Sequence, residues 1–341
     1  MRRLFIGCGL LAAILFGAGA AQADTTFKIA TIAPDGTTWM KEMRAGAEEV
    51  EKQTQGRVKF KFYPGGIMGN DASVLRKMRI GQLHGAAITG NSLSEIYPDA
   101  QLYSLPLLFR SYAEVDYVRE KMDPTLRKGM EDAGLVPIGF TEGGFAYLFS
   151  QRSVTSQDEL RKCKIWIPET DIVNNTAFQT AGVSPVPLPF ADVYTGLQTG
   201  LLDTAVTLPT AAIAFQWHTK LKTFTDIPLS YIVGVLAINK KSFDSLTPAD
   251  QAIVRKVMAE AFARLNKLNR QDNDSARNAL RKQGLEFNTL SPDEREKWQK
   301  FADESILKLK DRGVYSPALL EDLRNHLRYY RTQVGARIAQ S

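Results

Sequence analysis

The chain has 341 residues, 43 of them Lys or Arg against 37 Asp or Glu, with two cysteines, three histidines and a pI near 9.1. Without Arg2 and Arg3 the balance is 41 basic to 37 acidic, and the signs are interspersed, as in Glu48-Glu49-Val50-Glu51-Lys52. That excludes the concentrated basic face or aromatic-basic platform of a nucleic-acid binder.

Arg2 and Arg3 precede an apolar run over residues 4–16, and Ala21-Gln22-Ala23 then presents small residues before Asp24. This pattern predicts a cleavable secretory signal peptide over 1–23 and a periplasmic protein. Gly7, Gly9, Gly17 and Gly19 break the run before it reaches the roughly 20 apolar residues a membrane anchor needs. Cleavage removes Cys8, so Cys163 is left without a partner for an intrachain disulfide. Stability must then come from apolar burial, and the remaining chain of about 320 residues is long enough for two domains.

Residues 27–32 alternate as a strand and turn at Pro34-Asp35-Gly36. Trp39, Met40, Met43, Ala47 and Val50 recur at helical spacing, Gly56 stops the helix, and residues 58–62 make a second strand. The order repeats with a loop at Tyr63-Pro64-Gly65-Gly66, a helix over 73–80 and a short buried strand over 84–89. Such alternation predicts an α/β fold with a parallel-rich sheet, and ligands of such sheets bind at the carboxyl ends of the strands. Residues 31–37, 63–71 and 89–93 are therefore expected at the rim of a cleft.

A second α/β run begins near Tyr147, with a strand over 164–168, helices over 173–181 and 190–199 and a strand over 202–208. Residues 232–238 read as a strand that returns to the first lobe. Thr247-Pro248-Ala249-Asp250 starts a helix with Pro at its first position, and the pattern runs to Gln283 before Gly284. Some 35 residues at 1.5 Å each make a rod of about 50 Å, long enough to bridge two lobes. Ser291-Pro292-Asp293-Glu294 opens a further helix as a capping box, and residues 318–338 read as a helix with charged faces.

Catalytic constellations are missing from this pattern. His84, His218 and His326 are far apart and lack the neighbours of a zinc site or triad. Cys163 lies between Lys162 and Lys164, which would lower its pKa, but no histidine motif accompanies it. Gly65-Gly66 has neither the spacing nor the Lys-Ser or Lys-Thr of a nucleotide loop. Neither an enzyme nor a cofactor is expected.

The run Val186-Pro187-Leu188-Pro189-Phe190-Ala191-Asp192-Val193-Tyr194-Thr195-Gly196-Leu197-Gln198-Thr199-Gly200-Leu201-Leu202-Asp203 resembles the signature of solute-binding proteins of tripartite ATP-independent periplasmic (TRAP) transporters, the dicarboxylate-binding-protein family. Tyr63-Pro64-Gly65-Gly66-Ile67-Met68-Gly69-Asn70, Gly81-Gln82-Leu83 and Leu105-Pro106-Leu107-Leu108-Phe109 are similar to further stretches of that family, in the same order. The resemblance implies a two-lobed α/β periplasmic binding protein with a mixed sheet in each lobe, a ligand cleft between them and a long helix spanning both. The expected division is 24–145 plus 233–271 for lobe I, 146–232 plus 272–315 for lobe II, and a C-terminal helical segment over 316–341. The implied partners are a small organic solute and the integral membrane subunits of a TRAP transporter; a sensor or receptor kinase is the alternative destination, and a secreted hydrolase is disfavoured.

One departure bears on the ligand. A Lys-x-Arg-x-Pro stretch in most of the family supplies an arginine suited to bidentate pairing with a carboxylate. Here it reads Lys164-Ile165-Trp166-Ile167-Pro168, with Trp166 at the arginine position, and a second arginine of some members would fall near Ala146. The resemblance therefore points to Trp166 and Phe190 as cleft residues, with core packing as their ordinary alternative. Thr207 stands where an asparagine often meets ligand, and Asp71 opens the second helix either as a contact or as a cap. Glu142 and Tyr147 on the preceding strand, Glu169 and Asp171 after Trp166, and Asn91 and Trp39 complete the candidates. An indole beside carboxylates favours a cation, an aromatic ring or a hydroxylated ligand; backbone N–H groups at Gly65-Gly66 or at helix starts would instead hold an anion.

Overall fold

The computed structural model describes residues 24–334; the expected signal peptide lies outside the described residues. β1 (Thr25–Thr31) pairs in parallel with β2 (Val58–Tyr63) and with β3 (Gly85–Thr89). The helices that cross between them, α1 (Thr38–Gln53) and α2 (Asp71–Arg79), start at side-chain caps, Thr37 accepting from the Met40 N–H and Asn70 from that of Ser73. These bonds satisfy N–H groups that a helix start otherwise leaves without partners. α3 (Gly90–Leu93) follows β3 and is capped by Thr89, and α4 (Tyr112–Asp132) leads into β4 (Leu135–Ser150). Next come α5 (Gln157–Leu160), β5 (Ile165–Ile167), α6 (Ile172–Thr180), β6 (Val186–Pro187), α7 (Val193–Thr199), β7 (Thr204–Thr207) and α8 (Pro209–Ala214). The chain then enters β8 (Thr223–Asn239) and closes with α9 (Lys240–Asp244), α10 (Pro248–Lys282), β9 (Glu286–Asn288), α11 (Pro292–Asp311) and α12 (Pro317–Tyr329).

The strand order is β2-β1-β3-β8-β4-β7-β5-β6, with β9 also on β8. β4 and β8 are antiparallel neighbours and belong to both halves of this mixed sheet. Residues 234–238 of β8 pair with β3, whereas residues 223–225 pair with β9; at its far end β4 pairs with β7 through residues 147–150. Three register shifts interrupt the β4–β8 ladder, at Pro137/Gly139, Glu142/Gly144 and Ala146/Leu148. Bulges bend a strand and increase its local twist. The middle shift needs Gly144 at φ +115°, where a Cβ would lie 2.7 Å from Asn273 Nδ2.

β8 begins nine residues before the start expected at 232. Thr223, Thr225, Asp226 and Ser230 interrupt its apolar reading, and Pro228 demotes a run to edge or irregular strand. In the structure Pro228 falls between Thr225 and Ser230, in the stretch that leaves the β4 register, so its missing N–H disrupts no bond of that ladder.

Each half carries its own apolar layer. Phe27, Ile29, Met40, Met43, Val50, Phe262 and Leu265 pack between the first half-sheet, α1 and α10. Gly46 allows the close approach of those helices, because a Cβ there would stand 3.0 Å from both Ala261 Cβ and Met258 Sδ. Leu148, Leu160, Ile165, Phe178 and Trp298 fill part of the second half. α10 spans 35 residues, about 50 Å, and passes along the middle of β4. There Asn266, Asn269 and Asn273 present side-chain amides to the strand. The Asn266 oxygen accepts from the Glu142 N–H at 2.9 Å, Asn269 donates to the Glu142 carbonyl, and Asn273 donates to that of Gly143 at 2.8 Å.

Candidate ligand-binding cleft

A cavity of about 600 Å³ opens where the two halves meet. The end of β1 and the chain after it reach it with Thr31, Ile32 and Pro34, and β3 with Thr89; β5 and β7 contribute Ile167 and Thr207, and α10 adds Asn269, Asp272 and Ala276. Carboxyl ends of parallel strands thus meet the starts of α1, α2, α3 and α6, the place where open α/β sheets bind ligands.

Seven of the ten residues singled out from sequence stand in its wall: Trp39, Asp71, Asn91, Trp166, Asp171, Phe190 and Thr207. Trp166 contributes mostly through packing. It is 2% exposed, its indole N–H donates to the Leu188 carbonyl at 3.0 Å, and its ring meets Phe190 and Trp217 edge-on at 5.0 Å each. Phe215 completes this aromatic group, 4.8 Å from Phe190. Ala146, the other position where the resemblance would place an arginine, also lies in the wall. Trp39 lies across Gly234, where any Cβ would collide with its six-membered ring.

Three of the expected residues stand elsewhere. Glu142 is 1% exposed and accepts from Tyr231 Oη at 2.5 Å and from Arg270, which also pairs with Asp116. It is a buried ion-pair residue, and its place on an apolar strand gives no sign of the partner 128 residues later. Tyr147 accepts at its hydroxyl from Arg277, 2.9 Å away, and packs on Phe224. Glu169 is exposed and accepts from Asn70 Nδ2 at 2.9 Å, joining the loop after β2 to the loop after β5. Cys163 is also corrected: it is buried, which pushes its thiol pKa up, whereas flanking lysines had suggested a lowered one.

The wall's charge is one-sided. Asp71, Asp171 and Asp272 belong to it, and no Lys, Arg or His does among the described residues. Burial raises the Asp71 pKa, Glu95 adds repulsion, and a hydrogen bond from Ser92 works the other way. Asp171 caps α6 by accepting from the Asn174 N–H at 3.0 Å; burial raises its pKa, and bonds from Asn174 and Asn91 oppose the rise. Asp272 accepts from Thr38 Oγ1. Asp272, Asn269 and Phe215 are cleft residues that the sequence pattern missed. Only the i, i+3 placement of Asn269 and Asp272 on an amphipathic helix could have signalled the first two. Among the described residues no group of three or more His, Cys, Asp and Glu is placed to hold a metal.

A cleft between two half-sheets that share two continuous strands and a bridging helix defines the two-lobed class of solute-binding proteins. Residues 29–311 match the profile of the bacterial extracellular solute-binding protein family 7, and the chain belongs to that family, to which the TRAP solute-binding proteins of the motif resemblance correspond. It is 27% identical to the 2,3-diketo-L-gulonate-binding periplasmic protein YiaO of Escherichia coli K12, over 70% of this chain and 74% of the relative. Identity to the C4-dicarboxylate-binding periplasmic protein DctP of Rhodobacter capsulatus is 26%, over 74% of this chain and 76% of that one. The fold matches a TRAP periplasmic solute-binding protein from Xanthobacter autotrophicus Py2 with bound β-D-galacturonate, at a TM-score of 0.82 and 23% identity, covering 89% of this chain and 99% of that chain.

Proposed function

We propose that the chain is the periplasmic solute-binding component of a TRAP transporter, capturing a small organic solute by lobe closure and delivering it to the membrane permease. The observation that carries this reading is the cleft itself, set where β4 and β8 pass between half-sheets and α10 runs alongside. Register shifts at the crossing supply a bend, and the Asn70–Glu169 bond across the mouth is an interaction made when the lobes are close. A ligand held by both lobes favours the closed state by its differential affinity, and the closed shape is what a membrane partner can read. The lobes follow the division 24–145 plus 233–271 and 146–232 plus 272–315. The segment from 316 docks on the first lobe, where Arg331 pairs with Glu114 at 2.8 Å. The chain is exported through its N-terminal leader and performs no chemistry on its cargo.

Ligand-induced stabilisation tests this. A solute present at a hundred times its Kd adds about 2.7 kcal/mol of stability, and native mass spectrometry of gently purified protein would report the mass of any trapped molecule. Absence of a thermal shift across broad libraries of acids, amines and sugars, together with an empty mass spectrum, would count against a solute-binding role.

A further inference from the structure

The sugar acids and organic acids named for similar proteins are anions, and a buried anion is held best by charged donors. Among the described residues this wall has none, its donors being hydroxyls and amides. The Gly65 N–H donates to the Ala33 carbonyl and that of Gly66 to Thr31, both at 3.0 Å, so the glycine loop holds no free cradle. At the starts of α1, α2, α3 and α6 one N–H each is met by the side chain of Thr37, Asn70, Thr89 or Asp171, whereas α8, with Leu208 and Thr210 in the wall, has no side-chain cap of its own and its Thr210 N–H reaches Asn273 Oδ1 at 3.4 Å. Arg270 and Arg277, the arginines of α10 nearest in sequence to its cleft face, are engaged with Glu142, Asp116 and Asp226.

What the wall has in surplus is acceptors. Asp71 Oδ1 and Asn91 Oδ1 are both buried and have no hydrogen-bond partner. Both belong to the same stretch of wall, and Asp71 accepts through its other oxygen from Ser92, which follows Asn91 on α3. Across the cleft Asp171 lies near enough to Asn91 for the Asn91 amide to oppose the rise of its pKa, so polar groups of both halves approach one another there. Buried polar groups in native proteins are normally satisfied, and each exception calls for an explanation such as a missing ligand. An ammonium group carries donors, no acceptor and a positive charge, which is the complement of this surface. The remaining wall combines Ser and Thr hydroxyls with an aromatic and aliphatic face made by Trp39, Phe190, Phe215, Ile213 and Ile232.

We propose that the cleft takes an organic cation, an amine or ammonium compound on an apolar or aromatic body, with Asp71 as its counter-ion and the Asn91 amide oxygen as a second acceptor. A carboxylate would meet like charge and unpaired acceptors. A neutral apolar molecule would leave both acceptors unsatisfied. This assignment rests on the reading of the cleft as a solute site and adds the sign of the cargo.

Calorimetry on the full mature chain, freed of co-purified ligand, would compare probes that share a body and differ in charge: tryptamine, indole-3-propanoate and indole, then 2-phenylethylamine, 3-phenylpropanoate and benzene-ethanol, followed by a wider amine library. The amine should bind at least about tenfold more tightly than its acid and neutral partners. Asp71→Asn, which keeps the bond to Ser92, should cost about tenfold or more in amine affinity, the scale of one charged hydrogen bond, with an unchanged circular dichroism spectrum. Asp272→Asn provides a second folded variant in which the wall loses a charge and amine affinity falls. Preference for the acids or sugars, or equal affinity for amine and neutral probe, overturns the cation assignment while leaving solute capture intact. Failure of every compound class to bind would overturn solute capture itself.

Discussion

Trp166 shows how one side chain shapes the wall of a cleft. Its ring sits between Phe190 and Trp217 and its N–H is satisfied by Leu188, so it closes the wall with apolar surface where an arginine would have required carboxylate ligand or solvent. Trp166→Ala should lose about 3–5 kcal/mol of stability, as for other buried tryptophans, measured by urea denaturation; a loss below 1 kcal/mol would show that the aromatic group does not depend on it. Glu142 is the opposite case, a buried carboxylate kept in place by Arg270 and Tyr231. Removing one partner of a buried pair strands the other, and Arg270→Ala should therefore cost about 3–5 kcal/mol. An unaltered unfolding midpoint would mean that Glu142 finds another partner at no cost.

At the level of elements, the contact between α10 and β4 was only half legible. The helix announces itself through Thr247-Pro248, apolar periodicity and a stop at Gly284. β4 is buried at all 16 positions, as expected for a strand covered on both faces. What joins them is less visible. Asn266, Asn269 and Asn273 recur at i, i+3 and i+7 on one helix face, yet asparagine on a helix is usually a solvated residue, and the backbone groups they serve are more than 120 residues earlier. Asn273 also accepts from Thr210 of α8 at 3.1 Å, tying a third element to the bulge. Asn273→Ala should cost about 1–3 kcal/mol, because the Gly143 carbonyl is left buried without a donor, and hydrogen exchange should rise around residues 141–146. If exchange there is unchanged, the bulge is held by the β4–β8 ladder alone.

For the whole molecule, acid sensitivity follows from where carboxylates are held. Asp250 lies in α10's first turn, which Thr247 caps, and is paired with Arg57 at 2.8 Å; hydrogen bonding from Arg57 first, then Thr247, lowers its pKa in the folded state. A depressed carboxylate pKa adds stability that is present above the unfolded value of about 3.9 and disappears as pH falls through the folded one. The stability gap between the native chain and Asp250→Asn should therefore be widest near neutral pH and narrow as pH drops toward about 3, read by denaturant titration at each pH. A gap that stays constant would mean the ion pair makes no pH-dependent contribution. Asp71 and Asp171 have raised pKa values and the opposite sign, so their ionisation opposes folding of the empty cleft and acid relieves that penalty.

Sequence by itself determined the family and the alternation of strands and helices, because apolar periodicity, caps and glycine stops act over a few residues and survive in local order. Seven of the ten candidates it offered stand in the wall, since motif positions carry their place in the fold with them. Tertiary structure alone decided which polar residues meet at the cleft and which are consumed elsewhere. Glu142 and Tyr147 looked as available as Asp71 and Asp171 until Arg270 and Arg277, more than 120 residues away, were found to occupy them. Hydrogen-bond partners and burial are set by long-range packing, and on those two quantities the charge of the cleft depends.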